Sequence, residues 1–186
     1  MPRVTQGHVD ARRRQILDGA RTCFARHGFE GATVRRLEEE IGLSRGAIFH
    51  HFRDKDTLFL AAAEDDAAEM ASVVARHGLV QVMRDLLRDA DPDWLGTQLE
   101  VSRRLRTDEE FRSRWEQRAA EIERATRGRL ERASDAGTLR EDVDLDVLQR
   151  FLALALDGLV LRLATGIPAG DLDPVLDLVE ETVRRR

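Results

Sequence analysis

The stretch TVRRLEEEIGLSRGAIFHHF, from Thr33 to Phe52, constrains the fold more than any other part of the chain. Two helix starts lie in it, with one glycine between them. Thr33 can cap a short helix whose apolar face is Val34, Leu37 and Ile41. Gly42 permits the left-handed backbone of a tight turn. Ser44 can cap a second short helix running through His51, and Leu43, Ile48 and Phe52 return to the same core. This is helix–turn–helix geometry. In such a unit the second helix enters the DNA major groove with its N-terminal residues at base edges, while flanking groups grip phosphates. Ser44, Arg45 and Gly46 would then face bases. Ala47 is small enough for close approach, and His50 and His51 point outward at the far end, near backbone phosphates.

The rest of the chain also reads as helix, with no sustained strand-type alternation and no internal repeat. A first helix is expected from about Val9 to His27, with Ile16, Leu17, Ala20, Cys23 and Phe24 on one face and Gly28 as its stop. Asp54 can cap a long helix to about His77, and Gly78 restarts the pattern at Leu79, Val82, Met83, Leu86 and Leu87. Asp91-Pro92 opens a helix to about Arg106. Thr107 and Glu110 have capping-box spacing and open a long charged helix to about Ser134. Asp144 starts a strongly apolar helix to about Thr165, and Asp173-Pro174 starts the last one. The expected fold is all-α, of about nine helices, with a head over residues 1–53 and a body over residues 54–186.

Charge divides the same way. The chain of 186 residues has a net charge of −5, which argues against nucleic acid until its distribution is considered. Through Asp56 there are 11 Arg and Lys against 8 Asp and Glu, so the acidic excess lies in the body. A basic head on an acidic body is the pattern expected where one end meets phosphates. Arginine replaces lysine almost everywhere, so Lys55, the only lysine, carries more weight than any single arginine. The amino-terminal MPRVTQGHVDARRR is basic, but no apolar stretch of signal-peptide type follows it. No apolar run is long enough to span a bilayer. The sole cysteine, Cys23, reads as a buried structural thiol, and a cytoplasmic location fits these features.

A metal site at His50-His51 is disfavoured. Adjacent helical residues point about 100° apart, and no carboxylate or thiol sits at ligand spacing. An enzyme is disfavoured too, since there is no Gly-rich phosphate loop, no nucleophile elbow and no tyrosine. In the body, Leu148, Phe151, Leu152, Ala155, Leu156, Leu159, Val160 and Leu163 crowd most of one helix. Val175, Leu176, Val179 and Val183 form a stripe on the last.

GATVRRLEEEIGLSRGAIFHHFRDKDTLF, from Gly31 to Phe59, resembles the DNA-binding head of the TetR family of repressors. It has the capping threonine, the glycine turn, the aromatic-x-x-Phe end of the recognition helix and a lysine opening the next helix. Two residues depart from the pattern. Phe49 stands where the family usually has tyrosine, and Glu38 where a small residue is usual. The resemblance extends into the body: GLV-x-VMR, LRTD, LDG-x-x-x-RLATG and VLDLVE-x-TVR are similar to the branch of the family formed by the aconitase repressors of corynebacteria and related actinobacteria. It implies a ligand-responsive repressor of a citric-acid-cycle gene, needing no cofactor and working as a homodimer on a palindromic double-stranded DNA operator. The apolar faces of the last two helices would be shared between core and dimer interface. The DNA contacts it implies come from Thr33, Arg35, Ser44, Arg45, Gly46, Ala47, Phe49, His50, His51 and Lys55.

The implied effector is citrate, as a magnesium complex. A tricarboxylate needs guanidinium forks and its metal needs an acid. Arg129 and Glu180 are the candidates, with Glu180 toward the metal. The family's usual pocket, between the fourth helix and the middle helices, would instead be lined by Met70, Trp94, Phe111 and Trp115. Two alternatives stay open. One is a TetR-type repressor of another metabolic or efflux gene that responds to an apolar ligand in the usual pocket. The other is a helical interaction protein without DNA binding.

Overall fold

The computed structural model describes residues 6–168 and 170–184; residues 1–5, which open the basic amino-terminal stretch, lie outside them. Nine helices follow one another among the described residues: α1 Gln6–Gly31, α2 Val34–Ile41, α3 Arg45–His51, α4 Lys55–His77, α5 Leu79–Asp89, α6 Pro92–Thr107, α7 Glu109–Asp135, α8 Leu145–Ala164 and α9 Asp173–Val183. The fold is all-α, and among the described residues only an isolated bridge between Leu139 and Arg184 has extended pairing.

The expected caps are in place at most helix starts. Thr33, Ser44, Asp54, Asp91 and Asp144 each accept a backbone N–H from the first turn of α2, α3, α4, α6 and α8, satisfying a donor that has no partner inside the helix. One cap differs from expectation. Asp108, not Thr107, caps α7, accepting the Phe111 N–H at 2.9 Å. Thr107 ends α6, and its hydroxyl donates to the Arg103 carbonyl. Asp108 offers a charged acceptor at the positive end of the α7 dipole, which a threonine hydroxyl does not. Gly28 does not end α1 outright. Its φ of 66° breaks the helical path, and one further turn continues to Gly31.

Two apolar clusters divide the molecule. The first gathers α1, α2 and α3 around Phe24, Leu37 and Ile48, and also takes in Phe59 and its neighbours at the start of α4, Val101 of α6 and Phe111 of α7. The second gathers the far end of α4, α5, α8 and α9 around Val74, Met83, Leu148 and Leu176. α4 therefore runs through both clusters and packs along α7, while α1 lies against α2, α4 and α6. The α1–α6 approach is close. A Cβ on Gly96 would stand 2.7 Å from the Ala25 Cβ and 2.8 Å from its Cα, so only glycine allows these two backbones to meet. Cys23 is fully buried in the first cluster, and burial pushes its thiol up to about 11.

On α8 the face read in sequence is buried or half-buried, and of the α9 stripe Leu176, Val179 and Val183 are buried while Val175 is exposed. Leu148, Leu152, Leu159, Leu176, Val179 and Val183 are all interior to one chain. The open apolar side carries Val147, Leu154 and Leu161 on α8 and Val175 and Leu178 on α9, with Leu154 73% exposed. Residues seven apart return to almost the same helix face, so Val147, Leu154 and Leu161 form one stripe.

Candidate DNA-binding face and effector cavities

The turn before α3 is built as its residues require. Gly42 adopts φ 73°, ψ 25°, and its N–H closes α2 on the Glu38 carbonyl. The Glu38 carboxylate, standing where a small residue was expected, accepts the Arg45 N–H at 2.6 Å. Together with the Ser44 hydroxyl on the Ala47 N–H, it fixes the start of α3 relative to α2. Ser44, Arg45 and Gly46 are exposed and Ala47 half-buried. A Cβ on Gly46 would meet nothing within 4 Å, so nothing inside the chain demands glycine there. Thr33, Arg35 and His50 are exposed, whereas Phe49 and His51 are half-buried, and Phe49 leans on the first cluster. The two imidazoles stand edge to face, 5.6 Å apart.

The three consecutive acids of α2 do not leave this face negative. Glu38 is spent on the α3 start, Glu39 pairs with Arg35 at 2.9 Å, and Glu40 pairs with Arg26 at 3.1 Å. The Arg45 side chain pairs with no acid among the described residues, so its charge is available to a partner. Lys55 is placed less simply. Its ammonium donates to the Phe29 carbonyl at 2.8 Å and sits 4.3 Å from the Phe29 ring centroid. It thereby ties the start of α4 to the end of α1, and two of its three donors remain for other acceptors.

Beside it lies a junction that the sequence pattern did not single out. Arg104, buried, lies over the rings of Phe29 at 4.1 Å and Phe111 at 4.7 Å. It donates to Asp56 at 2.8 Å and to Asp108. One guanidinium so joins α1, α4, α6 and α7. In an arginine-rich chain nothing in the residue type marks it; only its place at the meeting of four helices does.

Two cavities open in the body. One, of about 680 Å³, lies between α7, the α4–α5 turn and α9, and both Arg129 and Glu180 line it, with His77, Thr126 and Thr138. Arg129 pairs with no acid among the described residues. Glu180 is held from both sides, by Arg84 at 2.9 Å and by Arg184. Arg84 also reaches Asp177 at 2.7 Å and Asp173 at 3.7 Å, pinning α5 to α9. No three His, Cys, Asp or Glu side chains gather at metal-binding distance among the described residues. Magnesium commonly takes one or two protein carboxylates and completes its shell with water and ligand oxygens. The single carboxylate of Glu180 therefore fits a metal that arrives with its own polyanionic ligand, but not a metal bound by protein alone.

The other cavity, of about 590 Å³, is a cleft between α4, α5 and the start of α6 that includes Met70 and Trp94. Phe111 and Trp115 stand elsewhere. Phe111, capped into the first turn of α7, packs 5.6 Å from Phe59 in the first cluster, and Trp115 stacks on it at 6.1 Å. The four residues expected around one usual pocket are thus split between a cleft, with Met70 and Trp94, and the first cluster, which buries Phe111 and has Trp115 half-buried against it. Asp66, at the α4 side of the cleft, is 4% exposed. It accepts from the Arg21 guanidinium of α1 at 2.7 Å, and burial pushes its carboxyl up to about 7 against the opposing pull of Arg21.

Residues 16–62 match the family described as bacterial regulatory proteins, tetR family. The whole chain is 56% identical to the HTH-type transcriptional repressor Rv1474c of Mycobacterium tuberculosis, covering 100% of both. It is 55% identical to the repressor AcnR of Corynebacterium diphtheriae, covering 99% of this chain and 97% of that one. AcnR of Corynebacterium glutamicum is 56% identical over 94% of this chain and 93% of its own length. Among solved structures, a transcriptional regulator from Saccharomonospora viridis in complex with choline superimposes with a TM-score of 0.76 at 22% identity, covering 96% of this chain and 100% of that one. That likeness shows the fold. No helix among the described residues is long and apolar enough to cross a membrane. Full-length identity above one half to named repressors, joined to the helix–turn–helix geometry of α2 and α3, places this chain in the TetR family of transcriptional repressors, which are DNA-binding regulators and not enzymes.

Proposed function

We propose that the chain is a cytoplasmic homodimeric repressor of an aconitase or other citric-acid-cycle gene, released from a palindromic operator by citrate with magnesium. Residues 1–53 form the DNA-binding unit and residues 54–186 the regulatory one. The observation that carries the effector reading is the cavity between α7 and α9, where Arg129, which has no acidic partner among the described residues, shares one space with Glu180. Arg129 supplies a fork for carboxylate, and Glu180 supplies the protein's oxygen to the metal. A tricarboxylate would draw Arg84 and Arg184 away from Glu180 or share them with it. Either change alters the α5–α9 link, and so the angle between two subunits joined through α8 and α9.

On the head, Ser44, Arg45, Gly46 and Ala47 meet base edges. Thr33, Arg35, His50, His51 and the spare donors of Lys55 meet phosphates, with Phe49 buttressing them from the core side. The exposed stripes on α8 and α9 support the homodimer, because such contiguous apolar surface is uncommon on a monomer. Selection of binding duplexes from a random pool tests the DNA half of the proposal. An inverted repeat with half-sites about one helical turn apart is expected. Recovery of unrelated sequences, or of single half-sites, would contradict a dimeric repressor.

A further inference from the structure

The cleft between α4, α5 and α6 has a chemistry opposite to that of the α7–α9 cavity. Five carboxylates line it, those of Asp66, Glu69, Asp85, Asp89 and Asp91, against one cation, Arg88. Arg88 is itself paired with Asp85 at 3.4 Å. Between the acids lie Met70, Leu86 and the indole of Trp94, which offer an apolar floor and an aromatic face. A citrate ion would be repelled here. An acidic lining alone would be a solvated surface, but Asp66 is not solvated. One of its oxygens takes Arg21, and the other is buried with no hydrogen-bond partner among the described residues. A buried carboxylate oxygen without a donor is costly, and a donor arriving through the cleft would relieve that cost. The volume of about 590 Å³ lies within the range of small-molecule sites.

We infer that this cleft binds an organic cation, an apolar or aromatic body carrying an ammonium or guanidinium N–H. The charged end meets Asp66 and the acids at the mouth, and the body lies on Trp94, Met70 and Leu86. Trp94 adds the attraction of an aromatic face for a cation. The cleft walls are also bolted to the DNA-binding head. Arg21 of α1 holds Asp66, and Thr22 of α1 donates to Asp93, next to Trp94, at 2.5 Å. A second cation beside Asp66 competes with Arg21 for its charge and loosens the α1–α4 link. The effect on DNA rests on the repressor reading above; the binding does not.

Isothermal titration calorimetry of the full chain tests the site directly, with 4-phenylbutylammonium as probe and its neutral twin, 4-phenylbutan-1-ol, as control. Saturable binding of the ammonium is expected, on the order of tenfold tighter than the alcohol. Glu69→Gln with Asp89→Asn, both exposed at the mouth and safe for folding, narrows that ratio. Trp94→Leu weakens the ammonium, and Arg129→Ala in the other cavity changes nothing. Equal affinity for the two probes would overturn the inference, as would no saturable heat up to about 10 mM, or ammonium binding indifferent to the mouth substitutions. Operator binding is measured with and without the ammonium. Weaker operator binding supports the link through Arg21. Unmoved operator binding in a chain that holds the ammonium overturns that link, and because calorimetry needs no DNA, failure of the repressor reading shows separately.

Discussion

Arg45 is the residue proposed here to read base edges. It stands at the start of α3 with its backbone N–H fixed by Glu38, and its side chain has no acidic partner among the described residues. Arg45→Ala is expected to lose on the order of 1–3 kcal/mol of discrimination between operator and scrambled duplex. Competition binding measures it, and an unchanged ratio would remove Arg45 from base reading. Asp66 makes a second residue-scale prediction. Its carboxyl is raised to about 7 from 3.8 by burial, with Asp65 and Glu69 on the same helix adding to the rise and Arg21 of α1 opposing it. A raised folded-state value means that the protonated form favours folding. The contribution is therefore full below the unfolded value and is lost as pH rises through about 7. Asp66→Asn cannot lose it, so thermal unfolding should show the variant gaining on wild type between about pH 4.5 and 7.5. A gap that stays constant would mean that Asp66 does not titrate in that window.

At the scale of helices, the dimer prediction belongs to α8. Val147, Leu154 and Leu161 leave an apolar stripe uncovered within one chain. Leu154→Glu is expected to shift sedimentation toward monomer and, with it, to weaken operator binding while leaving helix content intact. A variant that stays dimeric would put the interface elsewhere. These same helices show where sequence legibility ends. Helix number, most caps and the turn at Gly42 were readable, because each depends on residues within one turn of one another. The inward side of α8, with Leu148, Leu152 and Leu159, was readable too. The uncovered stripe of Val147, Leu154 and Leu161 was not, because only the positions of α5, α6 and α7 decide which apolar residues of so apolar a helix stay outside. Asp108 displaced Thr107 as a cap for a local reason, and its pairing with Arg104 and the stack of Trp115 on Phe111, each four residues apart, are local too, whereas the contact of Phe111 with Phe59 is tertiary. Phe111 and Trp115 accordingly read as pocket-lining in sequence, whereas in the fold Phe111 is core and Trp115 lies half-buried against it.

In the whole molecule, head and body share material and do not merely adjoin. Phe59, Val101 and Phe111 belong to the cluster that holds α1, α2 and α3, and Arg104 clamps four helices at that boundary. A change in α4 or α7 therefore reaches the recognition helix through packed side chains rather than across a flexible joint. The two cavities adjoin this frame through different ion pairs, one through Glu180 and Arg84 between α9 and α5, the other through Asp66 and Arg21 between α4 and α1. Any effector shifts the balance only by its difference in affinity for the operator-competent and released forms, commonly a factor of about 5–150. The decisive experiment for the effector is titration of citrate with magnesium into the protein bound to its selected operator. Release of DNA by citrate and magnesium together is expected, and Arg129→Ala, whose ligand-free DNA affinity stays near wild type, should not be released. Wild-type operator affinity that stays flat up to millimolar citrate with magnesium present would contradict it.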